Sequence, residues 1–131
     1  MNPPVVEATV RAIGYLETPY LTVEECPRNV IVEGPLCQVV LDPEYREGLL
    51  GLKAGQKIHL LYWFEGVDRR RLRQHSRKSG EYAGVFALRT PHRPNPIALA
   101  SLVIEKIEEG IIYLRGLDCL CGTPLLDIKP A

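Results

Sequence analysis

A chain of 131 residues, 46% hydrophobic and 24% charged, is long enough to bury one proper core and reads as a single domain over residues 1–131. Sixteen basic and sixteen acidic residues cancel, which excludes a uniformly cationic or anionic molecule. No apolar run reaches membrane-spanning length, and the opening MNPPVVEATV lacks the basic and apolar regions of a secretory signal, so a cytoplasmic protein without membrane contact is expected.

In chain order, residues 1–8 read as a lead-in. The alternation from Val10 to Leu16 predicts a first strand, ended by Thr18-Pro19. A loop around Cys26-Pro27-Arg28-Asn29 follows, then a strand over Leu36–Leu41. Asp42-Pro43-Glu44 combines a capping residue, a proline at the first helical position and an acid at the positive end of the dipole, so it predicts a short helix. Gly48 and Gly51 stop that helix early. Lys57–Phe64 (KIHLLYWF) is the strongest strand, closed by Glu65-Gly66. Residues 67–81 are polar and basic without an apolar period, which predicts a loop. A buried strand is expected over Tyr82–Leu88 and another over Ile97–Ile107. Glu108-Glu109-Gly110 reads as a hairpin turn into Ile111–Leu117. Asp118–Pro124 forms a second irregular loop before a last strand at Leu125–Ile128. About seven strands and one short helix with irregular loops predict an all-β fold, a closed or strongly curved β-barrel.

Between the strands at Tyr82 and Ile97 the chain runs through Pro91, Pro94 and Pro96. Each proline fixes its own φ, removes a donor and pushes its predecessor toward extended backbone. The result is a stiff loop presenting Arg89, His92, Arg93 and Asn95, a set suited to a polar or anionic ligand. Net neutrality also hides an uneven distribution. Arg69, Arg70, Arg71, Arg73, Arg77 and Lys78 crowd ten positions without an acid and leave ten basic against sixteen acidic residues elsewhere. Such a stretch reads equally as a solvated loop and as a surface for polyanion phosphates. The four cysteines, with Cys119 and Cys121 one residue apart, match neither a zinc spacing nor a disulfide framework and read as free thiols; no metal is expected. Neither phosphate-cradling glycine motif occurs.

GVFALRTPHRPNPIAL (Gly84–Leu99) resembles the signature GVFATRSPxRPNPIGLS of the TsaA-like (YaeB, TrmO-type) family, and GLDCLCGTPLLDIKPA (Gly116–Ala131) resembles its GLDxxDGTPxxDIKPY. The opening IGYLETPY is similar to the family's IGxxxSPY. The resemblance implies an S-adenosylmethionine-dependent methyltransferase acting on N6-threonylcarbamoyladenosine beside the anticodon of tRNA. It also implies a β-barrel core and a homodimer with cofactor sites near the subunit boundary. By motif position the cofactor contacts fall on Pro27, Arg28 and Asn29, on Glu65 and Gly66, on Arg89 and Leu99, and on Asp118, Cys119, Leu120, Cys121, Gly122 and Thr123. The basic stretch, with Arg93 and Asn95, is then the RNA-binding set, and Tyr62, Trp63 and Phe64 are candidates to stack a base. The acceptor nitrogen carries a proton, so a base is wanted, either Asp118 or His92. Cys121, Ala98 and Ala100 stand where the family has Asp, Gly and Ser. Those departures keep a second reading in view, a non-catalytic module that binds RNA or a nucleoside.

Overall fold

In the computed structural model, which describes residues 7–131, seven strands form one antiparallel sheet and two more a separate hairpin. The described strands are β1 (Gly14–Glu17), β2 (Leu36–Leu41), β3 (Lys57–Trp63), β4 (Arg73–His75), β5 (Tyr82–Gly84), β6 (Ile97–Val103), β7 (Lys106–Glu108), β8 (Ile111–Arg115) and β9 (Thr123–Pro130). The main sheet runs β6-β3-β9-β1-β2-β8-β7, and β4 pairs with β5.

Period-two alternation explains the core. Cys37, Val39 and Leu41 of β2 and Ile58, Leu60 and Tyr62 of β3 are buried while their neighbours are less so. They join Leu16, Ala100, Leu102, Ile112, Leu114 and Leu125 in one cluster on one face of the sheet. Burying each large aliphatic there contributes about 1.5–3 kcal/mol. β9 changes parity on the way. Its register against β3 slips between Leu61 and Tyr62, so Leu125 faces the core before the irregularity and Ile128 packs on it afterwards.

The expectation of a closed or strongly curved β-barrel is overturned. The outer strands are β6 and β7, and among the described residues no ladder joins them, so the sheet is open. The reason lies in two residues. Ile104 still exchanges backbone hydrogen bonds with the turn before β3, donating to Gln56 and accepting from Gly55, whereas the Glu105 N–H donates to Tyr113 on β8. One run of chain thus passes from the β3 edge to the β8 edge, and strands consecutive along it cannot pair with each other. The expected strand over Ile97–Ile107 is split there into β6 and β7.

Other boundaries differ as well. The first strand is confined to Gly14–Glu17, and the last extends to Thr123–Pro130. The lead-in expected over residues 1–8 lies, for residues 1–6, outside the described residues. The stretch begun by Asp42-Pro43 is a seven-residue 3-10 helix, Pro43–Leu49, with no side-chain cap bond from Asp42. Tyr45 and Leu49 lay it on the core at one end of the sheet. The buried strand expected over Tyr82–Leu88 is instead the short β5 followed by a 3-10 turn at Val85–Ala87. Of these residues Val85 alone is fully buried, while Tyr82 and Phe86 are exposed. Part of the region expected as loop, residues 67–81, supplies β4. No described helix is long and apolar enough to cross a membrane.

Candidate functional site

The loops that follow β3 and β8 gather with those that precede β2 and β6 at the end of the sheet opposite the Pro43–Leu49 helix. They surround a cleft of about 550 Å³. Arg28 and Asn29 come from the loop before β2, Phe64 from the end of β3, Arg89 and Arg93 from the proline-rich loop, Leu99 from β6 and Asp118 from the loop after β8. The two motif-bearing turns, nearly thirty residues apart at Arg89 and Asp118, therefore meet in one place.

Asp118 is held from beneath. The Tyr62 hydroxyl, on a side chain 1% exposed, donates to Asp118 Oδ1 at 2.7 Å. Burial, and then the charge of Asp118, push the Tyr62 phenol far above its ordinary range, so it stays a donor. Tyr62 also meets Phe64 edge-on, ring centres 5.6 Å apart. Across the cleft, Arg89 Nη2 donates to the Leu99 carbonyl at 3.1 Å and ties the proline loop to β6. Arg93 Nη1 reaches the Leu88 and Thr90 carbonyls at 3.2 and 3.1 Å, so its guanidinium braces the turn it belongs to. The Arg28–Asn29 loop is anchored where Ile31 N–H donates to Gly116 at 3.0 Å. Gly116 has φ +90, and a Cβ there would run into the Ile31 carbonyl, so only glycine fits.

Of the expected cofactor contacts, Arg28, Asn29, Arg89, Leu99 and Asp118 line the cleft. Pro27, Glu65, Gly66, Cys119, Leu120, Cys121, Gly122 and Thr123 do not. Residues 119–123 instead latch the loop onto the start of the chain. Thr18 Oγ1 donates to Cys119 O at 2.7 Å, Cys121 N–H to Tyr20 O at 2.8 Å, and Gly122 N–H to Leu16 O at 2.8 Å. Burial pushes the Cys119 thiol up to about 12, so it is no nucleophile. All four cysteines are free. Cys121 is exposed outside the cleft, Ala98 lines it, and Ala100 is buried at its floor.

His92, the other candidate base, is turned away. Its Nδ1 accepts the Asp68 N–H at 3.0 Å, and desolvation, then the charge of Arg71, lower its pKa. Asn95 is exposed and outside the cleft lining. Two of the clustered cations have local partners. Arg69 Nε donates to Pro94 O at 2.7 Å with its guanidinium 5.3 Å over Trp63, and Arg71 lies 3.7 Å from Asp68. Arg70, Arg73, Arg77 and Lys78 are exposed. Tyr62 is too deep to stack a base and Trp63 lies under Arg69, while Phe64 lines the cleft. Sequence reasoning missed the support of Asp118 by Tyr62. The inward parity of β3, already visible in KIHLLYWF, was the available signal.

Comparison with known proteins adds what the geometry alone does not. Residues 15–131 match the family model described as the tRNA-methyltransferase O N-terminal domain. A probable S-adenosyl-L-methionine-binding protein, VirR, of Rhizobium radiobacter is 37% identical over 124 residues, covering 95% of this chain and 71% of that protein. A tRNA (adenine(37)-N6)-methyltransferase of Homo sapiens is 35% identical over 128 residues, covering 90% of this chain and 29% of that one. The crystal structure of TrmO from Pseudomonas aeruginosa superposes with a TM-score of 0.77 at 32% identity, over 96% of this chain and 56% of that chain. The chain thus spans little more than half of the solved TrmO chain.

Proposed function

The chain belongs to the tRNA-methyltransferase O N-terminal-domain family, and from that premise we propose that it binds S-adenosylmethionine in the cleft and methylates N6 of an adenine in tRNA. The finer substrate we propose is N6-threonylcarbamoyladenosine beside the anticodon. The observation that carries the reading is the convergence of Arg28, Arg89, Leu99 and Asp118 on one cleft, with Asp118 fixed by a buried phenol.

The residues fit such a donor. The volume of the cleft is in the range of small-molecule sites. Phe64, Ile97 and Leu99 offer apolar surface for a base, Arg28 and Arg89 offer guanidiniums for a carboxylate, and Asp118 offers an anion for the sulfonium charge. The donor supplies an electrophilic methyl on a sulfonium, whose sulfur keeps the bonding electron pair when the methyl leaves. The protein's part is alignment, which holds acceptor nitrogen, methyl and sulfur in line. We assign Asp118 as the group that takes the N6 proton, since His92 is occupied with the Asp68 amide.

A second copy of the chain would complete the cleft on its open side. β6 is an outer strand, and its outward Ile97, Leu99 and Val103 are exposed apolar residues, two of which line the cleft. The test of function is direct. Calorimetry should show donor binding that Arg89→Ala weakens, and a labelled methyl group should pass to tRNA bearing the threonylcarbamoyl adduct. A flat titration would remove the transferase reading, whereas donor binding with transfer to unmodified adenine would correct the substrate alone.

A further inference from the structure

We propose that the outward face of the β4–β5 hairpin is a stacking platform for an unpaired RNA base, with Tyr82 as its contact and Arg73, Arg77 and Lys78 as its phosphate ligands. The inference rests on the reading of the chain as an RNA-modifying protein and assigns the nucleotide chemistry that its cationic stretch takes.

The hairpin has two unlike faces. The register pairs Arg73 with Gly84, Gln74 with Ala83 and His75 with Tyr82, so Arg73, His75, Tyr82 and Gly84 share one side and Gln74 and Ala83 the other. The inner side is docked on the body. Gln74 Oε1 accepts from Thr90 Oγ1 at 2.9 Å, and Thr90 lines the cleft, so the hairpin stands against the cleft wall. On the outer side Arg73, His75 and Tyr82 are exposed, and Tyr82 keeps 60% of its surface in water.

That aromatic is held in place. The His75 and Tyr82 rings lie 4.9 Å apart, tilted by 52°. His75 Nδ1 is 3.1 Å from the Gly80 carbonyl, which can only accept, so Nδ1 carries the proton and the ring is fixed. The tip closes through Gly80 N–H to Ser76 O and Ser76 N–H to Glu81 O, both 2.7 Å, which places Arg77 and Lys78 at the turn beside the ring pair. Gly84, next on the same face of β5, adds no side chain between Tyr82 and Arg73. From Arg69 to Leu88 there are six cations and one carboxylate, Glu81. An ordered ring flanked by cations is what a single-stranded nucleotide requires, since bases stack on aromatic faces while phosphates take Arg and Lys. A duplex buries its base faces and meets only the charges.

The test uses the full chain with a labelled RNA stem-loop and a blunt RNA duplex, titrated at several salt concentrations. Tyr82→Ala should weaken stem-loop binding between about fivefold and about 150-fold while leaving duplex binding and the salt slope unchanged. Tyr82→Trp should restore the affinity. Arg73→Gln should weaken both RNAs and reduce the salt slope by about one. Stem-loop binding by Tyr82→Ala equal to wild type, or an equal loss toward both RNAs, overturns the platform. Titration with S-adenosylmethionine separates this from the transferase reading. A flat donor titration with a Tyr82-dependent stem-loop affinity would sink that reading and leave the platform standing.

Discussion

At the scale of single residues, the carboxylate of Asp118 depends on one buried donor. Tyr62→Phe removes only the hydroxyl, so the ring still fills its place in the core while Asp118 Oδ1 loses its 2.7 Å partner and its fixed direction. The expected result is a fall of about tenfold in kcat/KM for methyl transfer, with stability changed by about 1 kcal/mol in chemical denaturation. Unchanged kcat/KM would show that the Tyr62 hydroxyl does not position Asp118 for the reaction. His92 gives a pH prediction. Its folded-state pKa is lowered below 6.5, chiefly by desolvation and then by Arg71, and the neutral ring accepts the Asp68 N–H. Below 6.5 the unfolded chain therefore binds more protons than the folded one, and this contribution to stability, complete above 6.5, is lost as pH falls through the folded-state value. Thermal melts between about pH 5 and 8 should show a smaller acid-side loss for His92→Asn than for wild type. Parallel curves would exclude His92 as the titrating group.

At the scale of elements, the cleft depends on how its loops are tied rather than on the strands that carry them. Gly116 is the sharpest instance. It joins the end of β8 to the Arg28–Asn29 loop through Ile31, at φ +90 and with no room for a Cβ. Gly116→Ala should cost more than about 2 kcal/mol, from a strained backbone and a displaced loop, and should weaken donor binding in proportion. A variant with wild-type melting temperature and donor affinity would refute that coupling. The proline-rich loop is legible in the amino-acid sequence, because Pro91, Pro94 and Pro96 forbid helix and interior strand. Its neighbour is not: Tyr82, Gly84, Phe86 and Leu88 alternate like a buried strand, yet Val85 turns inward and Phe86 lies 76% exposed, with the Arg93 guanidinium 5.9 Å from its ring. Periodicity reports which residues share a side, not which side meets the core.

At the scale of the whole molecule, an open sheet leaves β6 with an edge that no other described strand pairs, beside the cleft, and the proposed second copy is its natural cover. Val103 is 51% exposed on that strand and outside the cleft lining. Val103→Glu should shift a sedimenting dimer toward monomer, with monomer stability altered by about 0.5 kcal/mol or less. Wild-type chain sedimenting as a monomer at all concentrations would eliminate the second copy.

Composition, alternation and the prolines determined by themselves that this is a β protein with one core, a stiff proline-rich loop and a cationic stretch, because those properties depend on near neighbours in the chain. The two long motifs were enough to identify the family. Closure of the sheet, the meeting of Arg89 with Asp118, the phenol beneath that carboxylate and the outward turn of Tyr82 were decided only by the tertiary structure. The open sheet depends on two residues, Ile104 and Glu105, that send one run of chain to two different edges, and the others on contacts between elements that local alternation does not report, such as Tyr62 with Asp118 and Thr90 with Gln74.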